Sequence, residues 1–323
     1  MKMIKKLFNF MENYANKKFK RRLNKSLFEL SKINKDFSLN FIDVGAAEDI
    51  HPRWKRISKY VDYIGFEPDK RSRELLLKYD DCKSYKIYPY ALWNKKQKLN
   101  INFTKEPRVS SSYVPNYKFL NQFKRPERFE IESNVKVDAT DLDNLKIKGI
   151  DFIKIDVQGG ELNIISGAET SLKDCIGLEL EVEFLELYEK QPLFGDLQNK
   201  LSKFGFEFID FVNLCRWERD DFNGFGQCVF GDALFLKSPE QIFSVQDQHL
   251  ISRYVAILLL YKRFDLIEKC FLLMNKNQIM QYGLFKKSLE YHRKKYNNLK
   301  IFHRIFNALV RLNHSDNQLI IHY

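Results

Sequence analysis

The sequence has no long apolar run. A representative apolar stretch, Val255 to Tyr261, ends after seven residues, whereas a membrane-spanning helix needs roughly 20. The chain begins with Lys2, Lys5 and Lys6 and then a broken apolar pattern, so no secretory core segment is read there. Cysteine is sparse and odd in number: Cys82, Cys175, Cys215, Cys228 and Cys270 are widely separated, without a Cys-x-x-Cys pair or a His-Cys cluster. That spacing argues against a structural zinc site and a disulfide scaffold, and it suits a reducing cytoplasm. Glycine is also scarce, at 13 residues, and the dinucleotide fingerprint Gly-x-Gly-x-x-Gly is missing. Of the six histidines, His51 stands in a turn and is read as structural.

What is present describes a globular protein. Hydrophobic residues make up 44% of the chain and there are 28 Phe, which excludes disorder. The net charge of +12 favours anionic partners: nucleic acid, acidic lipid headgroups or phosphorylated substrates. Composition does not choose among them.

The chain is organised around Asp151-Phe152-Ile153-Lys154-Ile155-Asp156-Val157-Gln158-Gly159-Gly160-Glu161. Phe152, Ile153, Ile155 and Val157 read as a central parallel strand covered on both faces. Asp156 then falls at its carboxyl end, the edge at which open α/β sheets bind ligands. The alternative is that Asp156 caps the turn before Gly159-Gly160.

Residues 1–36 read as a cationic amphipathic arm, with Ile4, Leu7, Phe8 and Met11 at helical spacing, the basic run Lys17 to Arg22, then Leu27, Phe28 and Leu30. Phe41-Ile42-Asp43-Val44-Gly45-Ala46 is a short strand ending in a small-residue turn. Pro52 to Tyr60 reads as helix, Val61 to Phe66 as a second strand followed at once by Glu67, and Pro68 to Asp80 as helix with Leu75, Leu76 and Tyr79 on one side. A third strand is expected over Tyr85 to Ala91. Between Trp93 and Ile147 about fifty residues leave the alternation, with strands at Leu99 to Phe103 and Val135 to Val137. Insertions of this kind commonly build substrate pockets.

Gly177 to Phe184 reads as a fifth strand in the main alternation, with Glu179, Glu181 and Glu183 on one face. A strand buried on both sides cannot easily hold three unpaired carboxylates, so one is expected to be paired and one to reach the mouth of the site. Asp196 is expected as the N-cap of a helix carrying Leu197, Leu201 and Phe204, with Gly205 at C′. Phe206 to Val212 and Cys228 to Leu236 should pair as an antiparallel edge. His249 to Lys262 and Asp265 to Met274 read as a helix pair, followed by basic helices over Phe285 to Tyr296 and Ile301 to Leu312.

A small-residue turn after the first strand and an acid after the second suggest a nucleoside, with Glu67 accepting hydrogen bonds from ribose hydroxyls. Glu48 and Asp49, however, would repel a pyrophosphate. A cationic, phosphate-free ligand fits better, and S-adenosylmethionine is one.

Taken together, Phe41 to Ala46, Gly65-Phe66-Glu67-Pro68, Ser110-Ser111-Ser112, Asp151 to Glu161 with Ser166-Gly167-Ala168, Glu181-Val182-Glu183-Phe184 and Gly231-Asp232-Ala233-Leu234 resemble the FkbM family of S-adenosylmethionine-dependent methyltransferases. The resemblance covers about residues 38–237. It implies an α/β class I methyltransferase (Rossmann-like) fold, a seven-stranded, mostly parallel sheet whose last strand is antiparallel. It also implies O-methylation, often of sugars or glycan precursors. Three segments are then expected: a basic helical arm over 1–36, the methyltransferase domain over 37–238 and a helical appendage over 239–323.

By position, the resemblance assigns Asp43, Gly45 and Ala46 to the methionine end of the cofactor, Glu67 with Pro68 to the ribose, Ala91 and Leu92 to adenine, and Asp156 to the transferred methyl. A family member often has a second glycine in the first loop, where this chain has Glu48-Asp49. For the base that takes the acceptor's proton, the candidates are Asp156, then Glu161 and Glu183, and no metal ligand set is assigned. The expected acceptor is a small molecule or glycan, anionic to match the charge. Sequence-specific nucleic acid is not expected, because the Asn/Asp-Pro-Pro-aromatic tetrad and the RNA-binding modules are lacking. Peripheral contact with the inner face of the membrane through the basic arm and oligomerisation through the C-terminal helices are further expectations. The alternatives are a nucleotide-sugar or nicotinamide enzyme on a similar sheet, and a non-catalytic adaptor docking through the helical tail.

Overall fold

The computed structural model describes residues 20–21, 23–34, 36–46, 50–76, 81–219 and 226–289. They fall into two compact units. One holds residues 39–50 and 61–238; the other draws on the chain before Leu39, His51–Tyr60 and the segment from Pro239 onward.

In the first unit, a seven-stranded sheet forms in the order β3-β2-β1-β7-β8-β10-β9. The strands are β1 (Leu39–Val44), β2 (Val61–Phe66), β3 (Ser84–Tyr88), β7 (Phe152–Ile155), β8 (Gly177–Glu183), β9 (Phe206–Trp217) and β10 (Gln227–Lys237). β1 pairs in parallel with β2 and β7, β2 with β3, and β7 with β8, while β10 runs antiparallel to both β8 and β9. Counting only these strands, the order is 3-2-1-4-5-7-6 with the last reversed. β4 (Ala91–Leu92), β5 (Gln97–Thr104) and β6 (Ile131–Thr140) form a separate three-stranded sheet from the insertion.

The third strand is shorter than the sequence suggested, because Pro89 has no N–H to continue the ladder beyond Tyr88. Ala91 and Leu92 accordingly leave the main sheet and pair with Ala139 and Thr140.

The alternation of side chains along the central strands separates two faces. Ile42, Val44, Ile153, Ile155, Leu178, Leu180 and Val182 point into one apolar core with Ile164, Ile165, Leu197 and Leu201. These last come from the helices Glu161–Ser166 and Phe194–Ser202. Burying each such large side chain is worth about 1.5–3 kcal/mol, so this face supplies much of the unit's stability. The opposite face carries Phe41, Asp43, Phe152, Lys154, Glu179, Glu181 and Glu183 along the same strands. The carboxylates of this row are nevertheless buried, Glu183 completely.

Local details differ from expectation in places. Asp196 caps its helix from the third position, accepting the Leu193 N–H at 2.9 Å, because Leu193 rather than Asp196 takes the N-cap. Gly205 has φ +81° and lies two residues past the C-cap Lys203. Pro52 opens a single turn, Pro52–Lys55, followed by a 3-10 turn, Ser58–Tyr60, and His51 caps it by accepting from Arg53 N. The helix after Glu67 is described over Lys70–Leu76. Tyr79, the side chains of Leu75 and Leu76, and the first-loop residues Glu48 and Asp49 lie outside the described residues.

In the second unit, the helical residues 23–33 bury Leu23, Leu27 and Leu30. The helices Gln248–Leu260 and Phe264–Leu273 follow Pro239–Ser244, and Ser252 Oγ lies 2.8 Å from Tyr282 Oη in the interior. The apolar positions Ile4 to Met11, most of the basic run and the helix expected from Ile301 fall outside the described residues. No helix among the described residues is long and apolar enough to cross a membrane.

Candidate active site

The carboxyl ends of β1, β2 and β7 converge because short hydrogen bonds tie them together. Gly45 N and Ala46 N both donate to Phe66 O, at 3.1 and 3.2 Å, and Glu67 N donates to Tyr88 O at 3.1 Å. Asp156 N reaches across to Val44 O at 3.1 Å. Gly45 has φ +79°, and a Cβ there would stand 2.1 Å from the Asp156 carbonyl oxygen. Only glycine lets the two turns come this close.

Strand register then places a cation among acids. Lys154 is directly opposite Asp43 on one side and Glu179 on the other. Its ammonium donates to Asp156 Oδ2 at 3.1 Å, and its side chain is only 12% exposed. Burial works against its charge, but Asp156, Asp43, Asp232 and Glu179 outweigh burial and hold the ammonium above the ordinary lysine range. Burial pushes Asp43 up to about 6 even though Lys154 and the Tyr63 hydroxyl oppose it. Tyr63 Oη donates to Asp43 Oδ2 at 3.1 Å, while Asp43 Oδ1 is buried with no hydrogen-bond partner among the described residues.

Asp156 is half-buried, with its side chain 33% exposed. Burial alone would raise its pKa; Lys154, Glu181 and Gln158 overcome this and hold it below the usual carboxylate range. Glu181 moves the other way, driven well up by burial and by Asp156. The two carboxyls are therefore driven apart, Asp156 toward the ionised form and Glu181 toward the protonated one, as for two carboxyls sharing a site. Gln158 Nε2 bridges the pair, donating to Glu181 Oε1 at 2.7 Å and to Asp156 Oδ1 at 3.2 Å. Asp156 is thus part of a side-chain network and is not a cap on the glycine turn.

Gln158 itself is strained, with φ +60°, a conformation costing of order 1 kcal/mol or more for a non-glycine residue. Its carbonyl accepts from Ser111 Oγ at 2.6 Å and its side-chain oxygen from Tyr188 Oη at 3.0 Å. The serine loop of the insertion is in this way fastened over the end of β7. Trp93 and Tyr113 lie against the following Gly160 and Gly159, and Asn163 Nδ2 donates to Tyr113 Oη at 2.9 Å.

The other two candidate bases are placed less favourably. Glu161 is 1% exposed and accepts from Val157 N at 2.9 Å, which fixes the turn. Burial raises it to about 7 against that backbone bond. Glu183 is inaccessible; burial, then Glu161, raise it well above its ordinary value. Neither of its oxygens has a hydrogen-bonding partner at ordinary distance among the described residues, and the amide of Gln191 faces it.

Glu67 is 7% exposed. Its Oε1 accepts from Asp69 N at 2.7 Å, and burial raises the carboxyl to about 7 in spite of that bond and Arg73. Arg73 holds the turn by donating to the Glu67 and Pro68 carbonyls. Ala91 is half-buried, while Leu92 is spent on the apolar core and can offer a ligand only its backbone. Sequence reading missed Lys154, Gln158 and Tyr188. The Lys154 signal is a lone cation at an inward position of an otherwise apolar strand. Among the described residues no cluster of His, Cys, Asp and Glu has metal-binding geometry.

Strand order, reversed last strand and a ligand edge made by β1, β2 and β7 define a class I methyltransferase fold. The profile of the FkbM methyltransferase domain matches residues 43–208, just over half of the 323 residues, and the chain belongs to that family. Among solved structures it is similar to the methyltransferase FkbM from Methylobacillus flagellatus KT, with 13% identity over 60% of this chain and a TM-score of 0.36. The chain spans 43% of that protein's length. It is also similar to magnesium protoporphyrin IX methyltransferase (ChlM) from Synechocystis PCC 6803 with bound SAM, at 9% identity, 68% and 79% of the two chains, and a TM-score of 0.34. The plantazolicin methyltransferase BpumL in complex with SAH matches at 11% identity over 71% of this chain and 89% of its own, with a TM-score of 0.30. No curated protein sequence matches the chain.

Proposed function

We propose that this protein is an S-adenosylmethionine-dependent O-methyltransferase acting on a hydroxyl of a sugar or glycan precursor, with Asp156 as the group that receives the acceptor proton. The observation that carries the reading is the half-buried Asp156 at the carboxyl edge of the sheet, accepting from Lys154 Nζ at 3.1 Å and from Gln158 Nε2 at 3.2 Å.

The residues fit the cofactor in three respects. Glu67 presents a buried carboxyl after β2 with one oxygen engaged by Asp69, leaving the other for ribose hydroxyls. Gly45 lets the turns after β1 and β7 meet at the edge where the cofactor would lie, and Asp43 offers a buried oxygen lacking a donor. When bound, S-adenosylmethionine supplies an electrophilic methyl group on a sulfonium. Asp43, Asp156, Glu179 and Asp232 around Lys154 make the floor tolerant of that positive charge and hostile to a pyrophosphate, which weighs against the nicotinamide and nucleotide-sugar alternative.

Asp156 accepts a hydrogen bond from the acceptor hydroxyl and takes its proton as the oxygen becomes methylated. Gln158 and Lys154 keep its oxygens aimed, and Glu181 helps to hold it below the usual carboxylate range. Trp93 and Tyr113 beside the glycine turn exclude water and offer flat apolar surfaces of the kind that pack on sugar rings. Ala91, Leu92 and Pro68 remain proposed lining of the nucleoside end.

The experiment is a matched pair of measurements on wild type and Asp156→Asn: calorimetric binding of S-adenosylhomocysteine, then methyl transfer across a panel of sugars. Homocysteine-compound binding within twofold of wild type with transfer lowered about 100-fold or more is expected. Equal transfer rates would remove Asp156 from the mechanism. Binding without transfer to any acceptor by the wild type would favour the adaptor alternative.

A further inference from the structure

Beyond the acid cluster, the site is backed by an aromatic group built from Phe123, Phe129, Tyr188 and Trp217 with Leu120, Leu187 and Val229. Arg128 stands on it. Its guanidinium carbon is 4.1 Å from the Trp217 ring centroid and 5.1 Å from that of Phe129. A stack of this kind uses the guanidinium face and none of its N–H donors.

Among the described residues no hydrogen bond engages those donors. Arg128 Nε is buried without a hydrogen-bond partner, and among the described residues the guanidinium forms no ion pair. Burial, with Arg125 nearby, lowers its pKa, and the nearby Glu127 offsets this only in part. Its neighbour Arg219 differs: it also lies over an aromatic ring, that of Phe123, but it donates to Gln122 Oε1 at 2.6 Å and to Gln227 Oε1 at 3.1 Å.

A continuous set of contacts links Arg128 to the chemistry. Phe129 meets Tyr188 edge-on at 5.9 Å, Tyr188 Oη donates to Gln158 Oε1 at 3.0 Å, and Gln158 holds Asp156 and Glu181. A half-desolvated arginine with free donors has the geometry to take two oxygens of one planar or tetrahedral anion. We infer that Arg128, seated on Trp217 and Phe129, is an anion subsite that binds a carboxylate or phosphate carried by the methyl acceptor. This rests on the methyltransferase reading for the word acceptor, but the anion site itself does not.

The test uses the full chain at fixed ionic strength, since exposed charges would otherwise contribute in proportion to screening. Inorganic phosphate and acetate are titrated separately by calorimetry into wild type, Arg128→Gln, Arg128→Lys and Arg219→Gln, each also titrated with S-adenosylhomocysteine. Saturable binding of phosphate, acetate or both to wild type is expected, with the stronger probe naming the anion class. Arg128→Gln should weaken it about tenfold or more, and Arg128→Lys should fall between because a lysine lacks the planar fork. Arg219→Gln should stay within twofold. Unchanged binding in Arg128→Gln, equal loss in Arg219→Gln, or no saturable binding of either anion to wild type would overturn the inference. Retained S-adenosylhomocysteine binding in Arg128→Gln shows that the variant is folded. Should wild type bind phosphate at Arg128 but not the homocysteine compound, the methyltransferase reading fails and the anion site stands.

Discussion

Glu67→Gln should make the protein more stable and a poorer cofactor binder at the same time, and the stability gain should depend on pH. Burial raises the Glu67 carboxyl from 4.5 to about 7. Between those values the native state keeps a proton that the unfolded chain has released, so stability falls as pH rises through this window. At pH 8 the native carboxyl is forced to ionise, and the raised pKa corresponds to about 3 kcal/mol of destabilisation. Glutamine is neutral throughout and its side-chain oxygen can still accept the Asp69 N–H. The variant and wild type should therefore unfold alike at pH 5, and the variant should unfold at about 6–12 °C higher at pH 8. Asp43 and Glu161, whose pKa values are also raised by burial, respond with the same sign in both proteins and cancel from the difference. Affinity for S-adenosylhomocysteine at pH 8 should drop about tenfold or more, because an ionised acceptor for the ribose hydroxyls is lost. The assays are thermal unfolding at the two pH values and calorimetry. A stability gap that is the same at both pH values, or a wild type more stable at pH 8, would refute the burial argument.

Lys154→Met removes the cation opposite Asp43 and beside Asp156. Breaking a buried pair in this way should cost about 3–5 kcal/mol at pH 8, and less at pH 5 where the carboxyls can take up protons; urea midpoints at both pH values check it. Gly45→Ala asks for a Cβ 2.1 Å from the Asp156 carbonyl oxygen at φ +79°. It should separate the turns after β1 and β7, lowering the unfolding temperature and abolishing S-adenosylhomocysteine binding; a variant that binds as tightly as wild type would show that the turns are not coupled.

Much of the sheet could be read in order because its signals are local. The apolar runs ending in Asp43-Val44-Gly45, Phe66-Glu67 and Ile155-Asp156 each mark a strand and its carboxyl end, and Glu179, Glu181 and Glu183 share a face because strand side chains alternate. Pro89 was overlooked as the stop for the third strand. The link between Asp156 and Glu181 was out of reach because it runs through Gln158, whose φ is +60° and whose amide donates to Asp156 and to Glu181, the latter 23 positions away in sequence. Ranking Glu161 and Glu183 beside Asp156 as bases overlooked exposure: at 1% and 0% exposed, neither is placed to meet an acceptor hydroxyl.

The sequence by itself determined which segments are strands, where each ends in glycine or acid, and which family the chain resembles, since periodicity and turn chemistry act over a few residues. Tertiary structure alone decided which charges meet. β1 and β7 are separated by more than a hundred residues yet lie side by side, so Lys154 acquires Asp43 only when the crossover is made. Arg128 likewise gains Trp217 only through the folded insertion. Long-range register, with the burial that accompanies it, shifts these ordinary acids and bases in opposite directions at one edge of the sheet.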